Sequence, residues 1–168
     1  MHNFEFKGRL DDPKAAMARA RKLGADLYGD LRQNDTYFRV PSGRLKLRET
    51  AGHQAELIFY HRDEEGSNRA SDYEIAHSAE PDALRVLLSD AMGVLAVVKK
   101  RRTLLSLDAS RIHLDNVEGL GHFLEFEVIV DGDVAKQRID GLIREMGFEW
   151  SDCIRASYLD LTLAARET

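Results

Sequence analysis

The chain has 168 residues, of which 43% are hydrophobic and 32% charged, with a formal net charge of -5. That is an ordinary soluble composition with enough length for one domain and its core, and the acidic balance argues against a general nucleic-acid binder, which is usually basic. No apolar run approaches the roughly 20 residues that span a bilayer, so no membrane span is expected; the longest, Val94 to Val98, suits a buried strand. The first residues carry neither a basic start nor an apolar signal core. The single Cys153 can form neither an internal disulfide nor a cysteine-based zinc site. Both features favour a cytoplasmic setting.

No low-complexity stretch, linker or repeat interrupts the chain, so residues 1–168 are read as a single domain. Residues 1–10 alternate, with Phe4 and Phe6 on one face and Asn3, Glu5, Lys7 and Arg9 on the other; period two is the signature of a strand. Asp11-Asp12-Pro13 supplies cap candidates and a first-turn proline, predicting a helix over 15–23 that ends at Gly24. Residues 26–40 read as two strands around Gln33-Asn34-Asp35, followed by a turn at Pro41-Ser42-Gly43. Residues 44–50 and 54–62 predict a hairpin, 63–68 a polar loop, and 71–77 a short strand. A helix starts at Glu80-Pro81 and runs to about Met92. Strands are predicted over 93–105, 106–115 and 122–130, then a helix over 133–146 closed by Gly147. Residues 150–164 fit either a strand or a helix. About eight strands and three helices suit an α+β fold built on a closed or nearly closed antiparallel barrel, since closure removes sticky edges.

Several strands carry strong charge on their polar face. Glu5, Lys7 and Arg9 share one face; so do Lys46 and Arg48 against Leu45 and Leu47, and Glu125 and Glu127 against Leu124, Phe126 and Val128. Lys100 and Arg102 are also two apart. One reading turns these faces to solvent, as charge usually is. The other turns the apolar faces outward to the helices, which need a sheet face to pack on, and the charge into the lumen. Such a lumen would suit a polyanion with bound metal: basic groups neutralise phosphate oxygens, and carboxylates hold Mg²⁺ or Mn²⁺.

Residues 3–7, Asn-Phe-Glu-Phe-Lys, resemble the opening Glu-x-Glu-x-Lys motif of the CYTH superfamily of triphosphate tunnel metalloenzymes, with Asn3 in place of the first Glu. Gln33 to Phe38, Gly43 to Arg48, Leu57 to Arg62 and Ser71-Asp72-Tyr73 are similar to the class IV adenylate cyclase pattern. Val98 to Arg102 resembles the family's Val-x-Lys-x-Arg strand, and Arg111 to Asp115 followed by Gly119-Leu120-Gly121 and Phe123 to Glu127 resembles the stretch that ends in its acidic pair. The resemblance runs in order from about residue 1 to 130, and more loosely to Tyr158. It implies an eight-stranded barrel whose inward charges grip a triphosphate. Glu5, Glu125 and Glu127 would bind Mg²⁺ or Mn²⁺. Lys7, Lys46, Arg48, Lys100 and Arg102 would bind phosphate, with Arg62, Arg69 and Arg111 as weaker additions; Glu5, Lys7 and Glu127 would carry the chemistry. A homodimer is an assembly the resemblance allows.

Of the remaining residues, Lys99 and Arg101 have the opposite parity to Lys100 and Arg102 and are expected outside, unless the strand slips by one residue. His113 shares the parity of Arg111; it could act as acid or base or make a structural hydrogen bond. Tyr37, Tyr60 and Tyr73 are expected to pack the barrel, with Tyr60 also near substrate, and Tyr158 to close one mouth. Cys153 has no sequence neighbour that would activate it. The implied site could cyclise ATP to cyclic AMP and diphosphate, or hydrolyse the terminal phosphate of tripolyphosphate or thiamine triphosphate. A third reading is a binding protein without turnover.

Overall fold

The computed structural model describes residues 4–61, 73–128 and 133–166. Asp12 starts the first helix: its Oδ1 accepts the backbone N–H groups of Lys14 and Ala15, both at 3.0 Å, and Pro13 occupies the first helical position, where no N–H is needed. The elements follow as β1 (Phe4–Arg9), α1 (Pro13–Lys22), β2 (Asp26–Phe38), β3 (Arg44–Thr50), β4 (Ala55–Tyr60), β5 (Tyr73–Ser78), α2 (Pro81–Met92), β6 (Val94–Leu107), β7 (Ser110–Val117), β8 (Gly121–Val128), α3 (Asp133–Glu145) and α4 (Tyr158–Arg166). The predicted strand at 71–77 begins in residues outside the described ones.

The eight strands form one antiparallel sheet in the order β1-β8-β7-β6-β2-β3-β4-β5. The sheet curls far enough that all eight strands line one cavity, but it is not closed: β1 pairs only with β8 and β5 only with β4 among the described residues. Both edges are short, six residues each, a usual way of limiting unwanted pairing. The expected closed or nearly closed barrel is thus a tunnel-like sheet with two edges.

Three local expectations need correction. β2 is one continuous strand, because Gln33, Asn34 and Asp35 pair on both sides, with β3 and with β6. The β6–β7 break lies at Asp108-Ala109 rather than at residue 105, with Asp108 taking the left-handed φ of 48° that a tight turn needs. The ambiguous tail is a short 3₁₀ turn, Trp150–Asp152, and then α4, a fourth helix. Gly43 is required where it stands: besides its positive φ, a Cβ there would lie 2.9 Å from the Phe59 ring.

The apolar faces point outward, under the helices. Phe6, Leu105, Ile112, Leu124 and Phe126 pack with Ala16 and Ala20 of α1 and with Ile139, Leu142 and Ile143 of α3. Phe38, Leu47 and Ala55 pack with Leu88 of α2. At one end α4 covers part of the concave face itself, where Tyr158 and Leu159 join Tyr37, Ala96, Val98, Val117 and Phe123. No helix among the described residues is long and apolar enough to cross a membrane.

Ile139 is fully buried and Val134, on the same helix, is largely exposed. Ile139→Ala is expected to lower unfolding stability by about 2–5 kcal/mol, and Val134→Ala by less than about 0.5 kcal/mol, measured by urea denaturation. Equal effects would mean that α3 does not seal the core.

Candidate active site

The alternation that sends Phe6 and Phe126 outward sends Lys7, Glu125 and Glu127 inward. Lys46 and Arg48 on β3, Lys100 and Arg102 on β6, and Arg111 on β7 join them, together with Glu5, around a cavity of about 490 Å³. Every described residue expected at the site therefore meets in one place. Arg62 and Arg69 lie outside the described residues, as does Asn3. Lys99 and Arg101 point away, as expected: Arg101 pairs with Asp30 at 2.7 Å and Lys99 approaches Glu118 at 4.0 Å.

Lys46, Arg48, Lys100 and Arg102 are held by two carboxylates that the sequence reading did not assign to the site. Asp35 of β2 is 2% exposed. It accepts a bidentate pair from Arg48, at 2.8 and 2.7 Å, and a hydrogen bond from Lys46 at 3.2 Å, while Lys100 stands 3.6 Å away. Burial alone would raise its pKa, but Lys100, Lys46 and Arg48 outweigh that and hold the carboxyl well below its usual range. Asp115 of β7, equally buried, accepts a bidentate pair from Arg102 at 2.7 and 2.6 Å and the Tyr158 hydroxyl at 2.8 Å. Parity was the available signal: Asp35 shares a face with Gln33 and Tyr37, and Asp115 with Arg111 and His113. What parity could not supply was the register that sets Asp35 opposite Arg48 and Asp115 opposite Arg102.

Glu125 of β8 links β6 to β1, accepting from Arg102 at 2.6 Å and pairing with Lys7 at 3.2 Å. Burial opposes its ionisation, yet Arg102, His113 and Lys7 keep its pKa well below normal. The His113 Nδ1 lies 3.6 Å from Glu125, and burial and the Arg102 charge push its pKa down, favouring the neutral ring. Lys7 also donates to the Ala156 carbonyl at 3.1 Å and sits 4.3 Å above the Tyr158 ring. Tyr158 thus forms part of the cavity wall. Tyr37, Tyr60 and Tyr73 also line the cavity, the first two flanking the Lys46 ammonium at 5.5 and 5.7 Å.

Glu5 and Glu127 are direct cross-strand partners. Like charges so placed repel, and Arg111 offsets this by approaching Glu127 at 3.3 Å. Among the described residues no cluster of three His, Cys, Asp or Glu side chains could hold a metal by itself. Two carboxylates completed by substrate phosphates are nevertheless the usual way of binding Mg²⁺, and Glu5 with Glu127 fits that donor set. Glu125 is already engaged by Lys7 and Arg102, so it could join only by exchanging those partners.

The CYTH domain profile matches residues 1–145. A Methanocaldococcus jannaschii protein named "Putative adenylate cyclase" is 22% identical over 96% of this chain and 98% of its own. A solved protein of Pyrococcus horikoshii superposes with a TM-score of 0.85 at 26% identity, over 95% of this chain and 98% of its own. A Hippeastrum protein, named a "Putative adenylyl cyclase" and described as revealing a dominant triphosphatase activity, superposes with a TM-score of 0.72 at 16% identity, over 98% and 96%.

Burial and the neighbouring cations depress Lys46 to about 8 and Lys100 to about 7, although Asp35 pulls both upward. In the unfolded chain both titrate near 10.5. Between these values the unfolded state binds more protons, so stability rises with pH. Above about pH 10, where Tyr37 and Tyr158 stay neutral only in the fold, the trend reverses. Asp35 and Glu125 act at the acid end: their contribution is present above the ordinary carboxylate range and lost as pH falls through their lowered values. The melting temperature is expected to climb from about pH 7 to about pH 10, and to climb less in Lys100→Met. A flat profile in the native chain would contradict the burial of these lysines.

Proposed function

The chain belongs to the CYTH domain family, and from that membership we propose that it is a divalent-metal-dependent enzyme acting on a triphosphate, with cyclisation of ATP to cyclic AMP and diphosphate as the first reading. The observation that carries it is the convergence of Lys7, Lys46, Arg48, Lys100 and Arg102 on one cavity that Glu5 and Glu127 also line. Arg48 and Arg102, whose Nε and Nη2 are held by aspartates, would turn Nη1 to phosphate oxygens, and the lysines add point charges. The cavity is also lined by the paired residues Ile58 with Ile75 and Tyr60 with Tyr73 of β4 and β5, an uncharged patch beside Glu56 against which an organic group could lie. That favours a nucleoside triphosphate over an inorganic one.

In cyclisation the ribose 3′-hydroxyl gives up its proton to water as its oxygen attacks the α-phosphorus, the bond to the bridging oxygen breaks, and diphosphate leaves. Lys46, Arg48 and Lys100 would orient the phosphate chain, while Lys7 and Arg102 would neutralise charge that develops on its oxygens. A bound Mg²⁺ or Mn²⁺, held by Glu5 and Glu127, would supply further neutralisation of phosphate oxygens. The second reading is hydrolysis of a terminal phosphate, with water attacking the outermost phosphorus; the description of the Hippeastrum neighbour supports it. A binding protein without turnover would show nucleotide-dependent thermal stabilisation alone.

The test is product analysis with ATP, tripolyphosphate or thiamine triphosphate in the presence of Mg²⁺ or Mn²⁺. Cyclic AMP with diphosphate is the expected outcome; orthophosphate without cyclic AMP would replace cyclisation by hydrolysis. Glu127→Ala is expected to reduce metal-dependent turnover by about a hundredfold or more with the fold retained, and full activity would sink its role at the metal. Arg48→Ala should weaken triphosphate binding by roughly ten- to a hundredfold, and unchanged affinity would remove Arg48 from the phosphate grip.

A further inference from the structure

Two buried lysines and a half-buried arginine share one buried carboxylate in this protein. Lys46 and Arg48 reach Asp35 from β3 and Lys100 reaches it from β6, all within 3.6 Å. A single carboxylate cannot balance three positive charges, and uncompensated buried charge is costly. The aromatic rings around the group help only weakly: Tyr37 and Tyr60 flank Lys46, and the Tyr158 ring lies 5.6 Å from Lys100. Asp35 therefore aligns these groups without neutralising them, and the remaining positive charge faces the cavity.

We propose that Asp35 is a positioning residue for the triphosphate site: a shared counter-ion that keeps Lys46, Arg48 and Lys100 converged on one point of the cavity wall until a phosphate chain takes over part of its role. The inference rests on the triphosphate reading of the cavity and adds a residue that need not touch substrate. The same geometry dictates a proton linkage. Lys46 and Lys100 face Asp35 and Tyr37 from β2, Arg48 from β3, Tyr60 and Glu56 from β4, Arg102 from β6 and Tyr158 from α4. Arg48 and Arg102 oppose their protonation, and Asp35 is the group that sustains it. A bound polyanion sustains it more strongly, so binding takes up protons wherever the lysines have begun to lose them. Affinity must then fall as pH rises through that range. Removing the Asp35 charge makes the empty-state lysines lose protons at lower pH and moves the onset of the fall downward.

The experiment is calorimetric titration of the full chain with tripolyphosphate from about pH 5.5 to pH 9, once with EDTA and once with Mg²⁺, comparing the native protein, Asp35→Asn and Asp35→Glu. Titration of tripolyphosphate itself is common to all three proteins and cancels in the comparison. For the native chain the fall is expected to begin near pH 7, close to the Lys100 value of about 7. In Asp35→Asn it should begin about one unit lower or more, so that between about pH 6 and 7 the variant loses roughly tenfold in affinity that the native chain keeps. Asp35→Glu should restore the native onset but bind about tenfold more weakly at every pH, because its carboxylate lies one methylene farther along. An Asp35→Asn onset equal to the native one overturns the inference. Should Asp35→Asn not fold, Asp35→Glu decides alone, and native affinity in that variant overturns the positioning role. Absence of native binding under both conditions overturns the triphosphate reading instead, which separates the two failures.

Discussion

A cavity lined with lysine and arginine is a repulsive object, and this fold tolerates it because two buried aspartates stand behind the cations. Asp35 gathers Lys46, Arg48 and Lys100; Asp115 fixes Arg102 and is itself fixed by Tyr158. Each bidentate arginine–carboxylate pair uses Nε and Nη2 and sets the plane of a guanidinium as well as its position, so Nη1 of each arginine is held in a fixed place. The lysines are less constrained and more strongly desolvated. The site therefore combines rigid donors with titratable ones, and both depend on carboxylates that are almost completely hidden from water.

The packing of the whole chain follows from this inversion. A typical half-buried sheet hides its apolar face and wets its polar one. Here the apolar faces of β1, β6, β7 and β8 are covered by α1 and α3, and that of β3 by α2, which leaves the charged faces to enclose a cavity. α4 differs, for it lies at one end of the concave face and brings Tyr158 to Asp115, while the Ala156 carbonyl just before it accepts from Lys7. The last helix is thus bonded to the same groups that line the site. Arg44 strengthens the attachment by donating to Asp160 at 2.9 Å and to Ser157 at 2.7 Å.

Much of this was legible as parity. Glu5 and Lys7, Lys46 and Arg48, Lys100 and Arg102, and Glu125 and Glu127 each stand two residues apart, and their alternation with Phe6, Leu47 and Phe126 fixes which of them share a face. Whether that face looked at solvent or at a lumen could not be decided within a single strand, because the answer depends on where helices pack. The aspartates were harder to read because their roles depend on register. Asp35 in isolation sits in the polar run Gln33-Asn34-Asp35, which looks like a turn; across from Arg48 it is an anchor. The same run was the reason for expecting two strands in place of β2. The tail was illegible for a different reason: α4 is short, and the contacts of Tyr158 and Leu159 that hold it are with strands distant in sequence.

The edges at β1 and β5, which pair on one side only among the described residues, have a mechanical meaning. In a closed barrel, strand number and stagger set the diameter, and every change of girth must be absorbed by hydrogen bonds around the ring. A seam between β1 and β5 removes that restraint among the described residues. The bore can then widen or narrow through small changes in twist, with every ladder intact. Lys7 and Glu5 ride on one lip of that seam, and Tyr73 and Ile75 on the other. The spacing between the two lips is accordingly a soft coordinate of the fold, set by strand twist and not by a closed ring of hydrogen bonds.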